Sequence, residues 1–228
     1  MKNKSSGFIS DALKLASSSI VTQFASLLMV PILTRIFKPE VFGSLAILEL
    51  FITQLGGIIT LGFAGAIVLT KTKTQEINHI WFSFLVTVLI SFTSFVLVYH
   101  SSQISQIIKH DYLSSLFWFI PISALFWGLR DILRFLNLKY KRYYTLSISN
   151  VILSVSLNIF AIYLGYQIGG TLLNYIIASL LATFFSIIIL SYKFIFSSLL
   201  SFFKGFDFKV IQNEIKTHKQ FIYYNLPN

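Results

Sequence analysis

Three kinds of residue in this chain can do chemistry inside an otherwise apolar sequence. The first is Glu49, about one third of the way into the apolar run Val41–Thr70. A charged carboxylate at that depth of a bilayer costs on the order of 3 kcal/mol unless it is paired, protonated or facing water. At 100° per residue it shares a face with Thr53, Gly56 and Thr60. It is therefore expected to look into a bundle or cavity. That position suits proton or cation coupling, with a structural pairing to a neighbouring helix as the alternative. The second kind is the arginine pair Arg130 and Arg134 in FWGLRDILRFLNLKYKRYY, on one helical face with Trp127, Asn137 and Lys141. The planar guanidinium fork matches a phosphate or diphosphate. A basic membrane anchor with an aromatic belt is the alternative, and it explains Lys139, Lys141 and Arg142 better. The third kind is neutral. Gln23 lies on one side of the first apolar run with Ser19, Thr22 and Ser26, while Asn150 and Asn158 share a later stripe with Ser147 and Ser154. Ser83, Thr87, Ser91 and Ser94 form another stripe. Such stripes either line an aqueous path or hydrogen-bond adjacent helices at about 0.6 kcal/mol per contact.

Other chemistries lack their residues. Cysteine is absent, so a disulfide framework and a Cys-ligated metal are impossible. The four histidines His79, His100, His110 and His218 are scattered near the ends of apolar runs and read as interfacial. No HxxxD-like, DxD or paired-carboxylate constellation offers general acid and base groups. The chain is expected not to be an enzyme and to need no cofactor or metal.

The elements that must position these residues are long apolar runs. Of 228 residues 55% are hydrophobic and 11% charged, and the mean hydropathy is +0.76, a composition of integral membrane proteins. The net charge of +10 is spread between hydrophobic segments instead of forming one basic surface, which argues against nucleic acid. About 20 residues cross a hydrocarbon core of roughly 30 Å. The runs Ile9–Ile36, Val41–Thr70, Ile80–Tyr99, Leu113–Phe135, Leu146–Leu164 and Leu172–Phe196 give six such spans. The first is too long for a signal peptide and reads as a retained helix. A corner from Arg35 to Glu40 joins the first two, with Pro39 suited to a first helical turn and Glu40 to the positive end of the helix dipole. Pro31 and Pro121 should bend their helices, and Gly62 with Ala66 permits close helix packing.

Basic residues set the orientation. With a cytoplasmic N-terminus, only Arg35, Lys38 and Lys109 of the 18 Lys and Arg residues fall on the opposite side. The expected architecture is an all-α polytopic membrane helix bundle of six transmembrane helices plus the start of a seventh. Residues 1–196 form the six-helix lobe and residues 197–220 a cytoplasmic interfacial linker containing FFKGFDFKVIQNEIKTHK. Residues 221–228, FIYYNLPN, begin a truncated seventh helix.

The pattern SSSIVTQFASLLMVPILTRIFKPEVFGSLAILELF, followed by LGFAGAIVLTKTKTQE, resembles the Wzx-type polysaccharide flippases of the multidrug, oligosaccharidyl-lipid and polysaccharide exporter superfamily. The likeness rests on a Pro-x-x-x-Arg corner, a Phe-Gly opening the second helix, and basic links after the fourth and sixth spans. It implies two six-helix lobes around a central cavity, this chain supplying the first. The implied cargo is a polyprenyl-diphosphate-linked oligosaccharide for O-antigen, capsule or exopolysaccharide synthesis, carried across the bacterial inner membrane by alternating access. On that resemblance Arg35, Arg130, Arg134, Gln23, Asn150 and Asn158 are candidate cargo contacts, and Glu49 is a candidate site for a coupling proton or sodium ion. A drug or ion exporter of the same superfamily, or a membrane polysaccharide polymerase or ligase, is the alternative.

Overall fold

The fold is given by a computed structural model that describes residues 4–108 and 111–202. The described residues are helical and contain no strand: α1 (Lys4–Ile36), α2 (Pro39–Ile58), α3 (Phe63–Ala66), α4 (Lys73–Thr93), α5 (Phe95–Tyr99), α6 (Ser101–Ile108), α7 (Phe119–Lys139), α8 (Tyr143–Gln167) and α9 (Leu172–Phe202). Among them six stretches are long and apolar enough to span a bilayer. The protein is a multi-pass, all-α membrane bundle. The proposed linker beyond Phe202 and the proposed seventh helix at 221–228 lie outside the described residues.

Two compact units make up the chain. Among the described residues, the first contains 4–42 and Asn137–Tyr192, and the second contains 43–108, 111–136 and 193–202.

In the first unit α1 and α8 run parallel. Ser26 meets Ser154 at 3.0 Å, an offset of 128 positions, and the same offset sets Phe37 against Gly165. Lipid offers no hydrophobic drive for helix pairing, so small residues and polar contacts must allow and hold the approach. Gly165 does so: a Cβ there would lie 2.5 Å from Ile36 Cγ2 and 2.9 Å from the Phe37 ring. The turn after α8 passes through Gly169 at φ 121° and then Gly170, where a Cβ would strike the Ile36 carbonyl. Thr171 caps α9 by accepting from the Asn174 N–H at 3.3 Å, and the Asn174 amide donates to the Gly169 carbonyl at 2.6 Å. Under this turn Phe37 is buried, edge-on to Phe42 and Tyr175, with Leu33, Ala161 and Ala178 completing the core. Exposed Tyr144 and Tyr166 lie 22 residues apart on α8. At 1.5 Å per residue that is about 33 Å, the separation of the two aromatic belts of a bilayer.

In the second unit the expected span Val41–Thr70 is corrected. The helix starts at Pro39 as anticipated but stops at Ile58, and Leu61 (φ 47°) and Gly62 (φ 75°) reverse the chain into α3. Hydropathy is continuous across this turn, so run length hid it. The residues carry the reason: β-branched Ile58, Ile59 and Thr60 between glycines weaken the helix, and Gly62 accepts a left-handed conformation. Helix α4 then opens with a capping box, Thr72 and Gln75 each accepting from the other's backbone N–H at 3.2 Å. The polar stripe Ser83, Thr87, Ser91 and Ser94 is buried, and two of its members reach other segments: Ser91 donates to the Pro121 carbonyl at 2.6 Å and Thr87 lies 3.4 Å from the Ile59 carbonyl. Gly128 of α7 approaches Thr87 too closely for any Cβ. Ala64, Ile67, Ile80, Ile132 and Leu136 form the core beneath.

Candidate functional site

A groove of about 660 Å³ opens along α1 and α8 within the first unit. Its polar lining is Ser19, Thr22, Gln23 and Ser26 from α1 with Asn150 and Ser154 from α8; Leu27, Val30, Leu153 and Leu157 supply apolar walls. The sequence put the first four on one side of their helix, and the structure keeps them together. The groove follows α1 for 11 residue rises from Ser19 to Val30, about 16 Å, and both helices are at spanning positions there. Its volume lies within the range of roughly 300–1,000 Å³ typical of ligand sites.

Three features shape its chemistry. Pro31, just past the groove, has no N–H to give the Leu27 carbonyl, so that turn of α1 loses one backbone hydrogen bond. The hydroxyls are partly engaged: Thr22 donates to the Ser19 carbonyl at 2.9 Å, and Ser154 meets Ser26 at 3.0 Å and lies 3.4 Å from the Thr22 carbonyl. Gln23 is exposed, and its carboxamide makes no hydrogen bond to the described residues. At membrane depth an unmet polar group costs several kcal/mol, so this side chain calls for a polar partner.

The structure brings Gln23 and Asn150 into one site and leaves the other sequence candidates out of it. Asn158 is buried and its amide donates to the Ser154 carbonyl at 2.8 Å, one turn earlier in α8, which makes it a structural residue. Arg35 is exposed in the last turn of α1. Arg130 is buried in the second unit, 5.7 Å from the Trp127 ring centre. Arg134 is exposed, contacts Asp131 at 2.7 and 3.1 Å and lies over the Phe135 ring, so its charge is already partly answered. The one-face grouping from Trp127 to Lys141 is corrected at its end: α7 stops at Lys139, and Lys141 lies in the turn at φ 54°. Asn137 is no surface group either; it is fully buried, with its amide donating to the Leu190 carbonyl at 2.9 Å. Glu49 is exposed on α2 with Leu50 and Thr53, and it makes no ion pair or hydrogen bond among the described residues. For Ser154, Thr22 and Ser26 the sequence leaves lining a path and bonding a neighbouring helix as alternatives, and the structure shows both: they line the groove and Ser26 meets Ser154 across it, through an α1–α8 offset that has no one-dimensional signal.

These features define a polytopic α-helical membrane protein carrying, between two parallel spans, a largely apolar groove edged by uncharged polar side chains. Residues 32–220 match the polysaccharide biosynthesis protein family, and the chain belongs to that family. Its involvement is therefore in polysaccharide synthesis or export. The α8 wall of the groove falls within the matched residues, whereas the α1 wall from Ser19 to Val30 precedes them. Neither a curated protein nor a solved structure matches the chain.

Proposed function

We propose that this chain is a transporter lobe, not an enzyme, and that it moves a polyprenyl-diphosphate-linked oligosaccharide across the bacterial inner membrane by alternating access. The observation that carries the reading is Gln23, a carboxamide with no hydrogen bond among the described residues, in a groove of apolar walls and scattered hydroxyls along a spanning helix. A sugar presents the complementary hydroxyls, and the isoprenoid tail stays in the bilayer beside the apolar walls. Exposed Arg35 and Arg134 are the available cations for the diphosphate, and exposed Glu49 is the candidate for a coupling proton or sodium ion. The distribution of basic residues supports a cytoplasmic N-terminus.

The test compares leaflet distribution of lipid-linked oligosaccharide in cells with and without the protein, using periplasmic glycosidase access. Loss of the protein is expected to leave the glycan enclosed on the cytoplasmic side, and Gln23→Leu to do so in part at matched membrane abundance. Asn158→Ala should export normally. Unchanged glycosidase access in the absence of the protein would overturn the reading and favour the exporter of drugs or ions.

A further inference from the structure

The groove is largely apolar, its hydrogen-bonding groups come from Ser19, Thr22, Gln23, Ser26, Asn150 and Ser154, and none of the described residues that line it is charged. Its carboxamides, Gln23 and Asn150, and its hydroxyls can each meet a sugar hydroxyl or an acetamido group. They can also donate to a carboxylate, yet none brings a countercharge, and a carboxylate without one is strongly disfavoured at membrane depth. The walls beside the polar floor, Leu27 and Leu153 among them, suit the apolar face of a ring or the first methylenes of a tail.

We infer that the groove is a specificity element that accepts neutral sugar units and rejects uronic-acid units, with Gln23 and Asn150 as the specificity-determining residues. This rests on the reading of the groove as a cargo site. It separates the cargo's chemistry into two parts: the sugar end is read here as an uncharged polyol, and the diphosphate must find its cations elsewhere.

The chain contains no cysteine, so a single introduced thiol reports on one place. Val30→Cys puts it in the groove wall, and Val88→Cys, on an exposed part of α4, reports general partitioning into the bilayer. The full 228-residue chain is placed in phosphatidylcholine nanodiscs, and thiol modification by N-ethylmaleimide is timed with octyl glucoside or octyl glucuronide below their micelle concentrations. Relative to Val88→Cys, the glucoside is expected to slow modification of Val30→Cys about fivefold or more, and the glucuronide less than about twofold, as an uncompensated charge requires. Adding Gln23→Arg supplies the missing cation and should bring glucuronide protection up to that of the glucoside. Equal protection by both compounds in the Gln23 protein would overturn the selectivity while leaving a sugar-binding groove. Protection by neither would overturn the cargo-site reading with it. The two-ligand comparison stands even if the Gln23→Arg chain does not fold.

Discussion

Replacing Gly170 with alanine should damage the first unit more than any other single added methyl at its glycines. A Cβ at Gly170 meets only backbone: it strikes the Ile36 carbonyl oxygen, sits 2.8 Å from the Ile36 carbonyl carbon and 3.2 Å from Phe37 Cα. No rotamer can relieve this, so the α8–α9 turn or the end of α1 must retreat by more than an ångström. Overpacking costs about 1–3 kcal/mol, and a backbone partner puts this case at the upper end. A loss of about 3 kcal/mol is a factor of roughly 100 in the folding equilibrium, and it falls on the segment holding Phe37 against Phe42 and Tyr175. Gly165→Ala meets side-chain atoms of Ile36 and Phe37, which can shift, and should cost less. Gly57→Ala, with nothing within 4 Å and inside α2, should gain about 0.5–1 kcal/mol from helix propensity. Unfolding by increasing dodecyl sulfate in mixed micelles measures all three. If Gly170→Ala unfolds together with Gly57→Ala, the close approach of the turn to α1 is wrong, and with it the offset that forms the groove.

Two further perturbations bear on topology and coupling. Cysteine at exposed Ser102 or Gln167 should react with an impermeant thiol reagent from the periplasm and cysteine at exposed Thr74 should not; the reverse labelling would reject the cytoplasmic N-terminus. Glu49→Gln should lower export at unchanged membrane abundance and Glu49→Asp should retain more of it, since an exposed side chain with no partner among the described residues adds little to packing; wild-type export by Glu49→Gln would remove it from the coupling mechanism.

The spans were legible because they need only length and hydropathy, and the corner at Pro39 and Glu40 because its residues have strong positional preferences. The end of α2 at Ile58 was not, since an apolar turn through Leu61 and Gly62 leaves no dip in hydropathy. For the stripe Ser83, Thr87, Ser91 and Ser94 the sequence left an aqueous path and interhelical bonding as alternatives; its burial and the Ser91 bond to Pro121 favour the second, which needs a neighbour's position that spacing does not encode. For the site, periodicity grouped Ser19, Thr22, Gln23 and Ser26 on one face, but pairing that face with Asn150 and Ser154 depends on Gly165 and Gly170 setting the α1–α8 offset. Asn158 and Asn150 are one stripe in sequence and two roles in the structure. Asn158 is buried and donates to the Ser154 carbonyl while Asn150 lines the groove, and helical spacing encodes neither placement.

The central claim, that cargo occupies the groove between α1 and α8, is tested most directly by crosslinking in cells that make the lipid-linked oligosaccharide. A photoreactive amino acid at Leu153 faces the groove, and one at Val88 is exposed elsewhere in the chain. Irradiation should attach glycan to the protein from position 153, with the adduct weakened by Gln23→Leu, and give only background from position 88. Glycan captured equally from both positions, or from 88 and not from 153, would contradict it.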